Sequence, residues 1–257
     1  MAKKNTFPAS WYYAYTISLM TDLIIISLGC FVAAFINASF ATGGVYIMLA
    51  TVSAVLPLTV TIPLLPALAL PSLFARIVLF KDHINPSIVK AFIFGSIFGV
   101  LLGGQIFVSL DEHIISLSIG GLILLITWWP SISIKLPRFN VFSYIGFSHS
   151  FIGTLFGVGG ILQPAIFRTA MTQAQITGTL AACLFTMDIF KISSYVFNGF
   201  SYFSYTLQLL SAIFFGFLGA WIGKRTSVAI SRKTFRRIFK FIITMVALRL
   251  IFKGIIY

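Results

Sequence analysis

Phe151-Ile-Gly-Thr-Leu-Phe-Gly-Val-Gly-Gly-Ile-Leu-Gln-Pro164 is the stretch whose reading decides the fold. Gly157, Gly159, Gly160 and Pro164 fall close together among residues that are almost all apolar. Glycine accepts a positive φ and proline removes a backbone donor, so a continuous helix is not expected here. In hydrocarbon a broken backbone has to be buried in protein or line a wet cavity. Two readings follow. One is a discontinuous helix at a binding site; the other is a tight helix crossing in which glycine serves close approach alone.

The rest of the chain supplies the hydrocarbon context. It has 257 residues, 59% hydrophobic and 9% charged, where soluble domains carry about 25% charged residues. The mean hydropathy is +1.02, and several apolar runs approach the ~20 residues that cross a bilayer as a helix. These values predict an all-α polytopic membrane protein. No stretch is polar enough for a separate soluble unit, so residues 1–257 read as one transmembrane domain. Net charge is +13, with five acidic residues. The cations adjoin apolar spans, which fits cytoplasmic loops facing anionic lipid and argues against nucleic acid as a partner. Cys30 and Cys183 lie far apart in apolar spans and suggest neither a metal site nor a disulfide framework. The run after Lys3 and Lys4, ending near Asn37–Ala41, looks like a secretory signal. It is too long for one, and its end recurs later in the chain. Asn37-Ala-Ser39 is formally a glycosylation sequon, uninformative inside an apolar span.

A shift of 116 positions lays Phe35-Ile-Asn-Ala-Ser-Phe-Ala-Thr-Gly-Gly44 on Phe151-Ile-Gly-Thr-Leu-Phe-Gly-Val-Gly-Gly160, with five of ten positions identical. Gly95, Gly99 and Gly103 in the first half, and Gly219 and Gly223 in the second, recur at helical spacing that permits close helix contact. Each half also carries a cation before its next loop, Arg76 and Lys191. The chain thus reads as two repeats, about 17–129 and 140–256, joined by a linker containing Pro130, Lys135, Pro137 and Arg138. Apolar segments are expected at 17–41, 44–56, 59–80, 86–108 and 113–129, then at 141–158, 160–172, 175–197, 203–224 and 234–256. That gives eight to ten membrane segments, depending on whether 44–56 and 160–172 cross. The loop at Asp111 and Glu112 lacks Lys and Arg. Its counterpart in the second repeat holds Lys224, Arg225, Arg232, Lys233, Arg236, Arg237 and Lys240. By the positive-inside rule the two loops lie on opposite sides, which predicts inverted repeats with an odd number of crossings each. Lys3 and Lys4 fall on the outer side in this scheme and count against it. A parallel four-plus-four arrangement is the rival.

Few polar groups lie within the spans. Asp188 and Lys191 stand one helical turn apart on one face, and buried charges in a span are costly enough to suggest function. Lys191 is suited to neutralise an anion; Asp188 is suited to take a coupling proton or to hold the lysine. A structural pair with a snorkelling lysine is the alternative. Thr177 and Thr179 flank Gly178 at a helix start, where free N–H groups favour an anion; ordinary capping is the alternative. Asn37 and Gln163 adjoin the two glycine breaks as hydrogen-bond donors. Pro63, Pro66 and Pro71 imply kinks or breaks in the first half. Arg168 reads as a gate or lipid anchor, Asp22 as interfacial, and His83 and His113 as solvated loop residues. His149 reads as a satisfied helix residue. No metal-binding, nucleotide-binding or nucleophile motif is present, so neither an enzyme nor a cofactor is expected.

These motifs resemble the TauE/SafE-type sulfite exporter family. The likeness is carried by Phe156-Gly-Val-Gly-Gly-Ile-Leu-Gln-Pro164, Ile176-Thr-Gly-Thr179, Lys191, Asn198-Gly199 and Gly219-Ala-Trp-Ile-Gly223. Lys81-Asp-His-Ile-Asn85 before Gly95, Gly99 and Gly103 agrees with it. Phe40-Ala-Thr-Gly-Gly44 is a degraded copy, with one glycine fewer and Met48 where Pro164 stands. The resemblance implies a secondary transporter of small anions, typically sulfite, sulfonates or other sulfur compounds, in a bacterial-type inner cell membrane. The expected substrate site comprises Asn37, Gly43, Gly44, Gly157, Gly159, Gly160, Gln163, Thr177, Thr179 and Lys191, with Asp188 for coupling and no metal. The expected partners are the anion and the lipid bilayer, and a homo-oligomer is compatible with both. A non-transporting membrane scaffold, using the glycines for packing alone, is the competing reading.

Overall fold

The structure, a computed structural model, describes residues 9–128, 141–226 and 232–256, with side chains described from residue 19 onward in the first segment and from 237 onward in the last. Lys3, Lys4 and the linker residues Pro130, Lys135, Pro137 and Arg138 lie outside the described residues.

Helix follows helix, and the punctuation is local. The elements are α1 (Ala9–Phe40), α2 (Gly44–Val55), α3 (Leu58–Leu79), α4 (Pro86–Phe107) and α5 (Glu112–Trp128), then α6 (Val141–Phe156), α7 (Leu162–Phe167), α8 (Gln173–Phe197), α9 (Thr206–Arg225) and α10 (Arg232–Ile256). No strand occurs among the described residues. Asn85 caps α4 by accepting from Ser87 N and Ile88 N, with Pro86 in the first turn where its missing N–H costs nothing. Thr172 and Gln175 form a capping box at the start of α8. The three prolines of the first half do not break α3, which runs continuously through Pro63, Pro66 and Pro71.

Five described helical segments are long and apolar enough to cross a membrane: Leu19–Phe40, Leu58–Leu79, Pro86–Phe107, Gln173–Phe197 and Phe203–Arg225. Large apolar side chains such as Phe94, Phe98 and Leu101 on α4, and Leu210, Phe214 and Phe217 on α9, stay exposed on the outside of the bundle. A surface of that kind suits lipid, not water. The protein is an all-α polytopic membrane protein. The short helices differ from the others. α2 has 12 residues and α7 has 6, spanning about 18 and 9 Å at 1.5 Å per residue. Neither reaches across the ~30 Å hydrocarbon core by itself.

The glycine rows pack as their spacing predicts. Gly95, Gly99 and Gly103 of α4 lie against backbone at Ser143, Phe147 and Phe151 of α6, so these helices run parallel in close contact. Gly219 and Gly223 of α9 lie in the same way against the carbonyls of Phe31 and Phe35 of α1. The first helix of each half therefore packs on the fourth helix of the other. α3 and α8 run antiparallel, with Phe74 against Phe185 and Gly178 against Phe80. α5 and α10 are antiparallel too: Ser116 Oγ donates to Leu250 O at 2.6 Å, and Lys253 pairs with Glu112 at 2.9 Å.

Candidate functional site

The site grows from the way each glycine break satisfies its backbone. Where α6 stops, its last carbonyls lose their intrahelical partners. The buried Tyr195 hydroxyl donates to one of them, Thr154 O, at 2.6 Å. The chain then passes Gly157 (φ 75) and Gly160 (φ 67), left-handed conformations that glycine adopts without a Cβ clash. On the far side of the break, Nδ1 of His149 accepts from Ile161 N at 3.3 Å and Leu162 N at 3.2 Å. An acceptor Nδ1 places the ring proton on Nε2 and makes the imidazole neutral, an assignment inferred from this bonding. The first half uses a different side chain for the same task. Asn37 O accepts from Ala41 N at 3.0 Å, and Asn37 Oδ1 accepts from Gly44 N at 2.9 Å, the first N–H of α2.

Between the two breaks lies a cavity of about 70 Å³. Asn37 and Gly44 line it from the first half, and Gly157, Gly159, Gly160 and Gln163 from the second. Arg76 of α3, His149 of α6, and Asp188 and Lys191 of α8 complete it. The three charged residues are almost sealed from solvent: Arg76 is 1% exposed, Lys191 4% and Asp188 6%. Lys191 Nζ lies 3.7 Å from Asp188 Oδ1. Arg76 interacts electrostatically with the same carboxylate, yet its Nε has no hydrogen-bond partner among the described residues. Gly153 leaves room for the ammonium, since a Cβ there would stand 3.1 Å from Lys191 Nζ. Two cations thus face one carboxylate in a desolvated pocket, where a charge left unpaired is costly.

A larger, open vestibule of about 620 Å³ adjoins the cavity. Tyr46, Gly160 and Gln163 line both spaces, and Gln173 and Lys240 line the vestibule. Lys240 Nζ lies 3.7 Å from the centroid of the Trp128 ring, a cation–π contact.

The family profile described as Sulfite exporter TauE/SafE matches residues 26–250, spanning both breaks and every residue of the cavity. The chain belongs to the TauE/SafE family. This is a family of membrane transporters for sulfite-type anions, and membership makes the protein an integral, multi-pass member of it. No curated protein and no solved structure matches the chain.

In this TauE/SafE protein the cavity gathers Asn37, Gly44, Gly157, Gly159, Gly160, Gln163, Asp188 and Lys191 from the residues expected at the site. Gly43 (φ 103) turns the chain just before α2 and packs against Phe239 at the vestibule side. Thr177 and Thr179 are buried away from the cavity. Thr177 Oγ1 donates to Gln173 O at 2.8 Å, and Thr179 Oγ1 accepts from Asn85 N at 3.0 Å, tying α8 to the entrance of α4. The helix start expected to offer free N–H groups, that of α8, is closed by a capping box in which Thr172 Oγ1 accepts from Gln175 N. Arg168, His83 and His113 are exposed. Two contributors escaped the sequence reading. Arg76 is matched there to Lys191 as the cation before each half's loop but is not among the expected site residues, although it follows the start of α3 (Leu58) at the interval by which Lys191 follows the start of α8 (Gln173). That shared register brings both cations into the cavity lining. His149 is satisfied, as expected, but by the glycine break and not by its own helix.

Proposed function

We propose that the protein is a secondary transporter that carries a small sulfur-containing anion, such as sulfite or an organosulfonate, by alternating access. The observation that carries this reading is the unpartnered Nε of buried Arg76, in a cavity that Lys191 also lines and that lies between two broken helices. Discontinuous helices meeting at a repeat interface are where secondary transporters bind substrate. The cations supply charge, and Asn37 and Gln163 supply amide donors. Asp188 is the one carboxylate among the lining residues, and therefore the group through which a proton would couple. Sulfite flux in the Asp188→Asn variant should then ignore an imposed pH gradient; a response equal to wild type would remove that role.

The two halves form a single membrane domain, and we read them as inverted repeats. Support comes from the exchange of first and fourth helices between halves and from the antiparallel course of the equivalent pairs α3/α8 and α5/α10. The vestibule lies at the end that carries Lys240 and adjoins Lys224, whose Nζ donates to Leu79 O. The positive-inside rule makes that end cytoplasmic, in a bacterial-type inner membrane. The scaffold reading explains the glycine rows of α4 and α9 equally well. It leaves two buried cations around a cavity without a purpose.

The test is flux into proteoliposomes of purified protein. Saturable sulfite flux that is lost in Arg76→Gln and Lys191→Met, with both variants still assembled, is the expected result. Absence of saturable flux for any anion, at any pH gradient, would overturn the reading.

A further inference from the structure

We infer that the cavity selects a small monovalent oxyanion over a divalent one of the same shape, and that Asp188 sets this preference; the inference rests on the anion-transport reading above. The charged side chains of the lining are Arg76 from α3 and Lys191 and Asp188 from α8. His149, facing them from α6, is neutral because its Nδ1 accepts two backbone N–H bonds. Tyr46 from α2 and Gln163 from α7 add polarity without charge. With Asp188 ionised, the cavity therefore holds one uncompensated positive charge. At exposures of 1 to 6% water compensates little of it, and leaving a charge unpaired there is costly. A monoanion brings the occupied site to neutrality. A dianion overshoots, leaving an unpaired negative charge in the same low-dielectric surroundings after a larger desolvation cost.

Size narrows the ligand further. One water needs about 10–15 Å³ measured in this way, so a cavity of about 70 Å³ has room for about five non-hydrogen atoms. That admits a single tetrahedral or pyramidal oxyanion and excludes a long-chain sulfonate. Of the two forms that sulfite takes near neutral pH, the site suits hydrogensulfite. Asp188 determines the count. Without its charge, Arg76 and Lys191 present two positive charges, and the divalent ion becomes the matched ligand.

Methanesulfonate and sulfate are suitable probes, because they share heavy-atom number and tetrahedral shape and differ by one charge. Each competes with labelled sulfite uptake by wild type, Asp188→Asn and Asp188→Glu in proteoliposomes at constant ionic strength. In wild type, methanesulfonate should inhibit at concentrations about tenfold or more below sulfate. Asp188→Asn should shrink or reverse that ratio by about tenfold or more, and Asp188→Glu should preserve it. Equal or better inhibition by sulfate in wild type, or inhibition by neither anion, with sulfite flux intact overturns the inference and leaves the transport reading standing. An unchanged ratio in Asp188→Asn overturns the role of Asp188, since desolvation alone would then explain the preference. Absence of sulfite flux in wild type overturns the reading beneath both. Should Asp188→Asn fail to assemble, thermal stabilisation of the detergent-solubilised wild type by each salt makes the same comparison. A larger shift with methanesulfonate supports the inference, and an equal or larger shift with sulfate overturns it.

Discussion

At the scale of single residues, the candidate site depends on side chains that hold the breaks as much as on those that line the cavity. His149 is the clearest case, since one nitrogen satisfies two N–H groups that no helix serves. Replacing it with leucine should strand both donors, at about 1–3 kcal/mol each. The expected result is a lowered thermal midpoint of the purified protein together with weaker flux; an unchanged midpoint would mean that water replaces the imidazole. Gly153→Ala makes a subtler prediction. The added Cβ would crowd Lys191 Nζ and should weaken sulfite transport several-fold, about 1 kcal/mol, with little effect on assembly. Normal transport kinetics would show that the ammonium has room to move. Lys191, Gln163 and the glycines were legible because charge, amide and broken helix are each conspicuous in an apolar span. Thr177 and Thr179 misled because a hydroxyl at a helix start has several uses. Its partner here, Asn85 N for Thr179, comes from a loop that sequence does not place beside it. Arg76, though matched to Lys191 in the repeat, was left out of the expected site because it lies close to the loop cations Lys81 and Lys90. Only its register within α3, matched to that of Lys191 in α8, separates it from them.

At the scale of elements, the segment limits read from apolar runs agree closely with the helices, because in hydrocarbon each run must close its own hydrogen bonds. Two depart: α1 begins at Ala9, ahead of the expected 17, and α7 is confined to Leu162–Phe167 within the expected 160–172. Gly160 is held in a left-handed turn before it, and the chain after Arg168 is spent in reaching the Thr172 cap. The prolines of α3 misled in the opposite direction. Each proline frees the carbonyl four residues before it, here those of Thr59, Ile62 and Ala67, and a membrane helix tolerates this when neighbouring groups satisfy them. Glycine identity in the rows is set by contact, which gives a paired prediction. A Cβ at Gly99 would meet the backbone of Phe147, whereas at Gly121 it would meet nothing within 4 Å. Gly99→Ala should lose about 1–3 kcal/mol, and Gly121→Ala should be neutral or slightly stabilising. Melting midpoints of the two variants in detergent decide this, and equal behaviour would show that α4 and α6 separate freely.

At the scale of the molecule, the halves exchange helices: α1 with α9 and α4 with α6. An inverted pair predicts that Asp111→Cys and Thr226→Cys, in a background lacking Cys30 and Cys183, react with an impermeant thiol reagent from opposite sides of a sealed membrane. Labelling from the same side would contradict the inversion. The proposed repeat rests, in sequence, on matched glycine breaks. That the breaks enclose one cavity was not visible there, because it follows from how α3 and α8 bring Arg76, Asp188 and Lys191 together between the halves. The central claim concerns what that cavity holds. Selenite is a heavier analogue of sulfite with a strong anomalous signal, so crystals grown with it locate the anion directly. The account predicts one ordered selenium peak between Arg76 and Lys191, flanked by Gly44 and Gly159. Selenium bound elsewhere in the protein, with this cavity empty, would contradict it.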